Sequence, residues 1–178
     1  MTTPAEYMPA GYWDARKHLR YYAAVRAELE TLSPGASIAD VGGWDTPVVL
    51  WGDFARRYTV DLGRDPKFPG VISHVGDFMD WTPPERLSVV TCLQVLEHLP
   101  DGAVERFAAK LLAIADVAIV SVPYLWPPRE PSHLQDPISR EKFARIMGRA
   151  ADRLSVVMDG RRGRIVATFR NPSPAPNA

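Results

Sequence analysis

Short apolar segments of this chain alternate with longer segments in which apolar residues recur at helical spacing. Short continuous apolar runs are typical of strands that are buried on both faces of a sheet. Five such runs occupy residues 37–41, 58–61, 70–75, 86–92 and 117–122. Two further strands, at 153–158 and 164–169, flank Asp159-Gly160 and are predicted to pair antiparallel.

The helical patterns fall between these runs. Residues 14–32 predict an amphipathic helix, which Ser33-Pro34-Gly35 ends. Three more helices are predicted: 47–57 with Asp45 or Thr46 as N-cap, 101–115 with Asp101 as N-cap, and 136–150 opening at Asp136-Pro137. The segment 62–69 between the second and third strands is too short and too rich in proline to form a helix.

Alternating strands and helices of this kind predict an α/β fold. We expect a doubly wound, mostly parallel, seven-stranded Rossmann-like sheet with an antiparallel C-terminal strand pair. Helices should cover both faces, with the helix between strands two and three missing. Residues 1–170 are predicted to form one domain with an N-terminal helical cap at about 10–33, and residues 171–178 to be a disordered tail.

Composition narrows the functional classes. The chain has 178 residues, which is long enough for one core without disulfides or a structural metal. Its 21 basic residues balance 21 acidic ones, which argues against a nucleic-acid binder. A lone cysteine, Cys92, excludes an internal disulfide, and no apolar run reaches the length of a membrane span. We therefore expect a cytoplasmic protein with no nucleic-acid or membrane partner.

Acidic side chains stand at or just after three successive strand ends, where an open α/β sheet binds its ligands. They are Asp40, Asp61 and Asp77, and no Lys or Arg occupies the equivalent positions. A phosphate-bearing dinucleotide would be repelled there, and the glycine spacing of Gly42-Gly43 is not that of a dinucleotide site. S-adenosylmethionine (SAM) fits better, because it carries positive charge, ribose hydroxyls and an adenine amino group.

Four segments in this order resemble the motifs of class I SAM-dependent methyltransferases. They are Ile38-Ala-Asp40-Val-Gly42-Gly43, Thr59-Val-Asp61-Leu62, Gly76-Asp77-Phe78 and Leu93-Gln94-Val-Leu-Glu97-His98-Leu99. The resemblance implies that Asp40, Gly42 and Gly43 shape the methionine end of the cofactor. It also implies that Asp61 holds the ribose, with Leu62 after it in the cofactor site. Asp77 and Phe78 are implied to border the adenine, and Leu93 and Gln94 to supply backbone near the sulfonium.

Several of these residues also have simpler interpretations. Asp40 could order the glycine turn, and Asp77 could cap the turn before Phe78. Arg16 could hold the methionine carboxylate beneath the N-terminal cap, or it could be a solvated helix charge. In place of the alternating glycines usual in the first motif, the chain has Gly43-Trp44-Asp45.

The acceptor site is predicted in the long segment 123–136, because long loops in compact domains tend to be functional. Tyr124 and Trp126 could pack on an acceptor ring, and Arg129 could pair with an acid. A hydroxyl acceptor needs a base, for which His98 and His133 are the candidates. Glu97-His98 could instead be a polar helix start, and Asp136 is interpreted as a helix cap.

The predicted function is transfer of a methyl group from SAM to a small-molecule acceptor, a hydroxyl of a sugar or secondary metabolite. The alternative is a non-catalytic methyltransferase-like subunit that stabilises or activates another enzyme. The missing helix would leave part of the sheet open for a homodimer or a partner subunit. A nicotinamide oxidoreductase is disfavoured by the acidic rim.

Overall fold

A computed structural model describes residues 11–171 and contains a seven-stranded sheet in the order β3-β2-β1-β4-β5-β7-β6. The first five strands are parallel, and β7 lies antiparallel between β5 and β6. This confirms the predicted fold class. The strands are β1 (Gly35–Val41), β2 (Phe54–Asp61), β3 (Val71–Val75), β4 (Leu87–Leu93), β5 (Ala115–Tyr124), β6 (Arg153–Asp159) and β7 (Arg162–Arg170).

The described residues, 11–171, contain four helices: α1 (Tyr12–Arg16), α2 (Arg20–Leu32), α3 (Ala103–Ile114) and α4 (Arg140–Ile146). The predicted helix 14–32 is thus two helices, with a break at residues 17–19. No helix in the described part of the chain has the length and apolarity needed to span a bilayer.

Each face of the sheet has its own hydrophobic core, because neighbouring residues on a strand point to opposite faces. Ala39, Val90 and Ala118 face α3 and α4, whereas Ile38, Val89 and Ile119 face α2. Burial on both faces explains why these strands are continuous apolar runs. The expectation that helices cover both faces is confirmed.

The predicted helix 47–57 is wrong. Only Pro47–Leu50 forms a single 3-10 turn, and residues from Phe54 onward pair with β1. The Arg57 guanidinium donates to the carbonyls of Val49 (2.6 Å) and Gly52 (2.9 Å), which closes the turn. Residues 54–57 form a strand because they pair with β1. This pairing stabilises the strand more than the helical spacing of nearby apolar residues would stabilise a helix.

Two predicted helix caps are also wrong. The helix near 136–150 covers only Arg140–Ile146, and its N-cap is Ser139, whose Oγ accepts from the Lys142 amide at 3.1 Å. Asp136 therefore does not cap this helix. Asp101 does not cap α3 either, because Gly102 is the N-cap residue. The Asp101 carboxylate instead accepts a hydrogen bond from Gln135 Nε2.

The β3 edge of the sheet is thinly covered. As predicted, the connection between β2 and β3 has no helix. Ile72 and Val75 on β3 are 62% and 53% exposed, and Leu62 is 65% exposed. The structure thus has the open sheet edge that the short connection implied.

Asn171, assigned to the tail by the sequence, joins the folded body, while residues 172–178 lie outside the described part of the chain. Its Nδ2 donates to the carbonyls of Leu112 (2.8 Å) and Ala115 (2.9 Å) at the end of α3. Its amide donates to the carbonyl of Asp116 at 2.7 Å. Asn171 thus satisfies carbonyls that the C-terminus of α3 leaves without helical partners.

We expect Asn171→Ala to lower the free energy of unfolding by about 1–2 kcal/mol, because the Leu112 carbonyl loses its Asn171 donor and the Ala115 carbonyl keeps only Arg86. Urea denaturation monitored by circular dichroism measures the change. Arg170→Ala, which removes an exposed neighbouring side chain, is the control. Equal stability of Asn171→Ala and the wild type would contradict the assigned role.

Candidate active site

The carboxyl ends of β1, β2, β4 and β5 meet at one edge of the sheet, and the loops that follow them form the candidate site. Three residues that follow directly on these strands or their turns have left-handed backbone: Trp44 (φ 58°), Gln94 (φ 58°) and Leu125 (φ 53°). This conformation is uncommon for residues with a side chain and is concentrated at functional sites.

Asp40 is the most buried acid at this edge, with 1% of its surface exposed. Its Oδ1 accepts a hydrogen bond of 2.6 Å from the Thr91 hydroxyl of β4, and its Oδ2 has no partner. Burial raises the pKa of Asp40 to about 7, and the nearby Asp61 adds to the increase. A cation brought to this carboxylate would stabilise its charged form.

The two glycines after β1 allow close approach at this turn. Gly42 has φ of 73°, and a Cβ there would meet Val95 Cγ2 at 2.5 Å. A Cβ on Gly43 would lie 2.0 Å from Asp40 Oδ2. The glycine pair thus lets the loop after β1 pack against both Asp40 and the segment after β4.

Asp61 ties two loops together at the end of β2. Its Oδ2 accepts from the Trp44 amide at 3.2 Å, and its Oδ1 accepts from the amides of Gly63 (3.0 Å) and Arg64 (3.1 Å). The Arg64 guanidinium lies over the Trp44 ring, 4.4 Å from its centroid. Asp61 therefore orders the loop after β2 and connects it to the loop after β1.

The next predicted cofactor residues are Leu62, after β2, and Asp77 and Phe78, after β3. Leu62 and Asp77 are exposed, and Asp77 Oδ1 accepts from the Met79 amide at 2.8 Å, which is the turn-capping alternative. The Phe78 side chain does not line the edge. It is 3% exposed, with its ring 4.5 Å from that of Phe107, because the turn after β3 directs it into the core.

Gln94, directly after β4, is held in place by a buried arginine that the sequence analysis missed. Arg164 on β7 donates from Nε to Gln94 Oε1 at 3.2 Å and from Nη1 to Asp159 Oδ2 at 3.3 Å. Its guanidinium also lies about equally close to the rings of Tyr21 (4.9 Å) and Trp126 (5.0 Å). The side chain of Leu93, which precedes Gln94, is buried, so Leu93 can contact a ligand only through its backbone.

Helix α1 lies at this edge of the sheet. The Tyr12 hydroxyl interacts electrostatically with Arg16, Glu97 and Arg164, and burial raises its pKa. Arg16 is not simply a solvated charge, because its guanidinium stacks 3.9 Å from the centre of the Tyr12 ring. Helix α1 thus contributes Tyr12 and Arg16 to this edge of the sheet.

The structure brings the two candidate bases together. The rings of His98 and His133 are 4.8 Å apart, edge to face. The backbone carbonyl of Glu97 accepts from the amides of Leu134 (2.7 Å) and Gln135 (3.1 Å), and this anchors the loop after β5 against the turn after β4.

Each histidine has a defined orientation. His98 Nδ1 lies 2.9 Å from the Ser132 carbonyl, and His133 Nδ1 lies 2.7 Å from Asp136 Oδ2. Burial lowers the pKa of His98, which favours its neutral form. Burial also raises the pKa of the neighbouring Glu97 carboxyl to about 8.

The three predicted acceptor residues, Tyr124, Trp126 and Arg129, line one pocket of about 460 Å³. Arg161 and Arg162, which were not predicted from the sequence, also line it, together with Leu125, Pro127 and Glu130. The turn between β6 and β7 reaches this pocket because β7 runs antiparallel to β5, so that Gly163 pairs with Tyr124. The Arg161-Arg162 pair was visible in the sequence, but its position depended on this strand order.

Buried polar atoms without partners cluster at this edge. Among the side chains of residues 11–171, five such atoms occur, and all lie in or after the carboxyl ends of β1, β4 and β5. Buried polar groups are almost always paired, so this concentration favours a ligand site. The atoms are Asp40 Oδ2, Trp44 Nε1, Asp45 Oδ1, Glu97 Oε2 and Asp136 Oδ1.

Solved methyltransferase structures share this fold. The N-methyltransferase NodS from Bradyrhizobium japonicum WM9, in complex with S-adenosyl-L-homocysteine, superposes with a TM-score of 0.68 and 14% identity, covering 93% of this chain and 94% of that one. Magnesium protoporphyrin IX methyltransferase from Synechocystis PCC 6803 gives 0.62 and 19%, covering 86% and 84%. The methyltransferase domain of a bacterial Hen1 gives 0.63 and 15%, covering 85% and 98%.

No protein-family model matches the sequence, and no curated protein matches it. At these identities the structural likeness establishes the fold. The chain has the class I SAM-dependent methyltransferase fold that its motifs resembled.

We expect the unfolding free energy of the wild type to fall as pH rises from about 4 to about 7. The folded state keeps a proton on Asp40 up to its pKa of about 7, whereas the unfolded state loses it near pH 4. Stability from this group is therefore full below pH 4 and lost above pH 7. Asp40→Asn should reduce the slope by up to roughly 1 kcal/mol per pH unit.

Denaturation in urea at a series of pH values measures this slope. Asp80→Asn, at an exposed position after the same sheet edge, is the control and should keep the wild-type slope. A slope unchanged by Asp40→Asn would contradict the buried, protonated state of Asp40.

Proposed function

We propose that this chain is a SAM-dependent methyltransferase that methylates a hydroxyl group of a small, negatively charged acceptor. The observation that carries the proposal is the set of unpartnered buried oxygens at the ligand edge of a methyltransferase fold. Three solved neighbours with this fold were crystallised with S-adenosyl-L-homocysteine, the product form of SAM.

The residues on the β1–β2–β4 side fit this cofactor. Asp40 offers an unpaired carboxylate oxygen to a cation, and Asp61 stands in an ordered loop that can present an oxygen to ribose hydroxyls. The exposed Leu62 and the turn at Asp77 offer an apolar and a polar edge to adenine. When bound, SAM supplies a methyl group on a positively charged sulfur that departs as a neutral thioether.

On the other side of β4, the pocket after β5 is suited to the acceptor. Its volume of about 460 Å³ is in the range of small-molecule sites. Arg129, Arg161 and Arg162 surround it, and Arg162 lies 4.7 Å from the Trp126 ring centre. Such a lining favours an acceptor with a ring and an acidic group, such as a carboxylate or phosphate.

A hydroxyl acceptor must lose its proton as its oxygen forms the bond to the methyl carbon. His133 lies between this pocket and His98, with its ring stacked 5.9 Å from that of Trp126. Asp136 holds its Nδ1, which leaves Nε2 available to take the proton. Positioning of the two reactants supplies most of the remaining rate enhancement, because the leaving group is already good.

A non-catalytic, methyltransferase-like subunit is the second candidate. The thinly covered β3 edge, with Ile72 and Val75 exposed, favours it. Such a subunit would not bind SAM, so calorimetric titration of the wild type with SAM separates the two functions.

We expect Asp61→Ala to weaken SAM binding at least tenfold, about 1.4 kcal/mol. Asp61→Asn keeps an acceptor for the loop amides and should weaken binding less, which separates loop order from ribose contact. Asp65→Ala in the same loop, which removes the carboxylate that accepts from the Lys67 amide and ammonium group, is the control. Calorimetry measures all three, and wild-type affinity in a folded Asp61→Ala protein would contradict the ribose assignment.

We expect His133→Ala to lower turnover about 100-fold or more while changing SAM affinity little, because it removes the proton acceptor and not a cofactor contact. Single-turnover transfer of a labelled methyl group measures the rate once a screen of acidic small molecules has found an acceptor. His18→Ala, at an exposed position, should keep full activity. Full activity of His133→Ala would rule out its role as the base.

A further inference from the structure

Glu97, His98 and His133 form a cluster that the class I fold does not require. One ligand-type atom from each residue lies within 4.8 Å of the others. A metal ion at about 2.1 Å from three such atoms would bring them to about 3.4 Å from one another, so the atoms need to approach by up to about 1.4 Å. Small changes in the side-chain torsions of Glu97 and the two histidines can supply a movement of this size.

Both imidazoles are oriented as metal ligands usually are. The Ser132 carbonyl can only accept, so His98 Nδ1 must carry the proton that it donates. The Asp136 carboxylate accepts in the same way from His133 Nδ1. These contacts fix each ring in the tautomer whose Nε2 has a free lone pair, which is the arrangement seen around zinc in proteins.

The third side chain supplies the independent observation. Glu97 is 1% exposed, and its Oε2 has no hydrogen-bond partner. Asp136, whose side chain is fully buried, also has one unpaired oxygen beside the cluster. A buried carboxylate oxygen left without a donor is costly, and a cation at this position would remove that cost.

We propose that Glu97, His98 and His133 bind one divalent first-row transition metal, such as Zn²⁺ or Mn²⁺. Two imidazoles and one carboxylate are a ligand set that these ions favour, and three protein ligands leave coordination positions open. His133 places this site on the acceptor side of β4, because its ring is stacked 5.9 Å from that of Trp126. The metal is therefore placed to hold the acceptor oxygen.

The catalytic consequence rests on the proposed function. A metal that coordinates the acceptor hydroxyl lowers the pKa of that hydroxyl, so its proton can pass to solvent. The oxygen then forms the bond to the methyl carbon while sulfur keeps the electron pair of the broken bond. In the metal-bound protein His133 Nε2 binds the metal, and the proton that it would otherwise accept passes to solvent. Loss of His133 therefore lowers turnover in either case.

Metal binding is tested on the full chain after treatment with EDTA, without SAM or acceptor. We expect calorimetric titration with Zn²⁺ to give one site of micromolar or tighter affinity. Co²⁺ should give a visible absorption band that depends on the same residues. Glu97→Gln, which keeps the side-chain shape, and His98→Ala should each weaken binding at least tenfold.

Asp136→Asn, which alters only the partner of His133, should weaken binding by roughly tenfold. His18→Ala should bind as the wild type does, and circular dichroism checks that each variant is folded. Absence of one-site binding in the wild type, or wild-type affinity in folded Glu97→Gln, would overturn the proposal. The same samples are also titrated with SAM. If only the proposed function is wrong, they bind the metal but not SAM.

Discussion

Desolvation of carboxylates at one edge of the sheet is the constraint on which the site depends. Parallel strands covered on both faces deliver their carboxyl ends to the same place, where the surrounding loops exclude water. Asp40 and Glu97 are both 1% exposed there, and each keeps one oxygen without a donor. A protein that leaves such groups unpaired gives up stability, which is a common feature of ligand sites.

Strand β4 divides the edge into two halves with different chemistry. Toward β1 and β2 lie Asp40 and Asp61 with glycine-rich turns, which suit a cationic nucleoside. Toward β5 and β7 lie the histidine pair and the arginine-lined pocket. Gln94 lies between the two halves, and a hydrogen bond from Arg164 holds its side chain in place.

A few hydrogen bonds to backbone carbonyls connect the loop after β5 to the turn after β4. The Glu97 carbonyl holds the loop after β5, and Gln135 Nε2 donates to the Leu99 carbonyl at 2.8 Å. These bonds bring His133 to His98 across 35 residues of sequence. Helix α1 closes the same edge through Tyr12, so groups from both ends of the domain meet over the site.

The sequence determined the strands, their mostly parallel arrangement and the acids at their ends, because burial on both faces leaves a continuous apolar run that stops at the ligand edge. Tertiary structure alone decided the rest. Residues 54–57 became a strand through pairing with β1, and the Phe78 ring entered the core. Arg164 joined Gln94, and His98 met His133, because contacts between distant segments depend on strand order and loop anchoring, which no local pattern of apolar residues encodes.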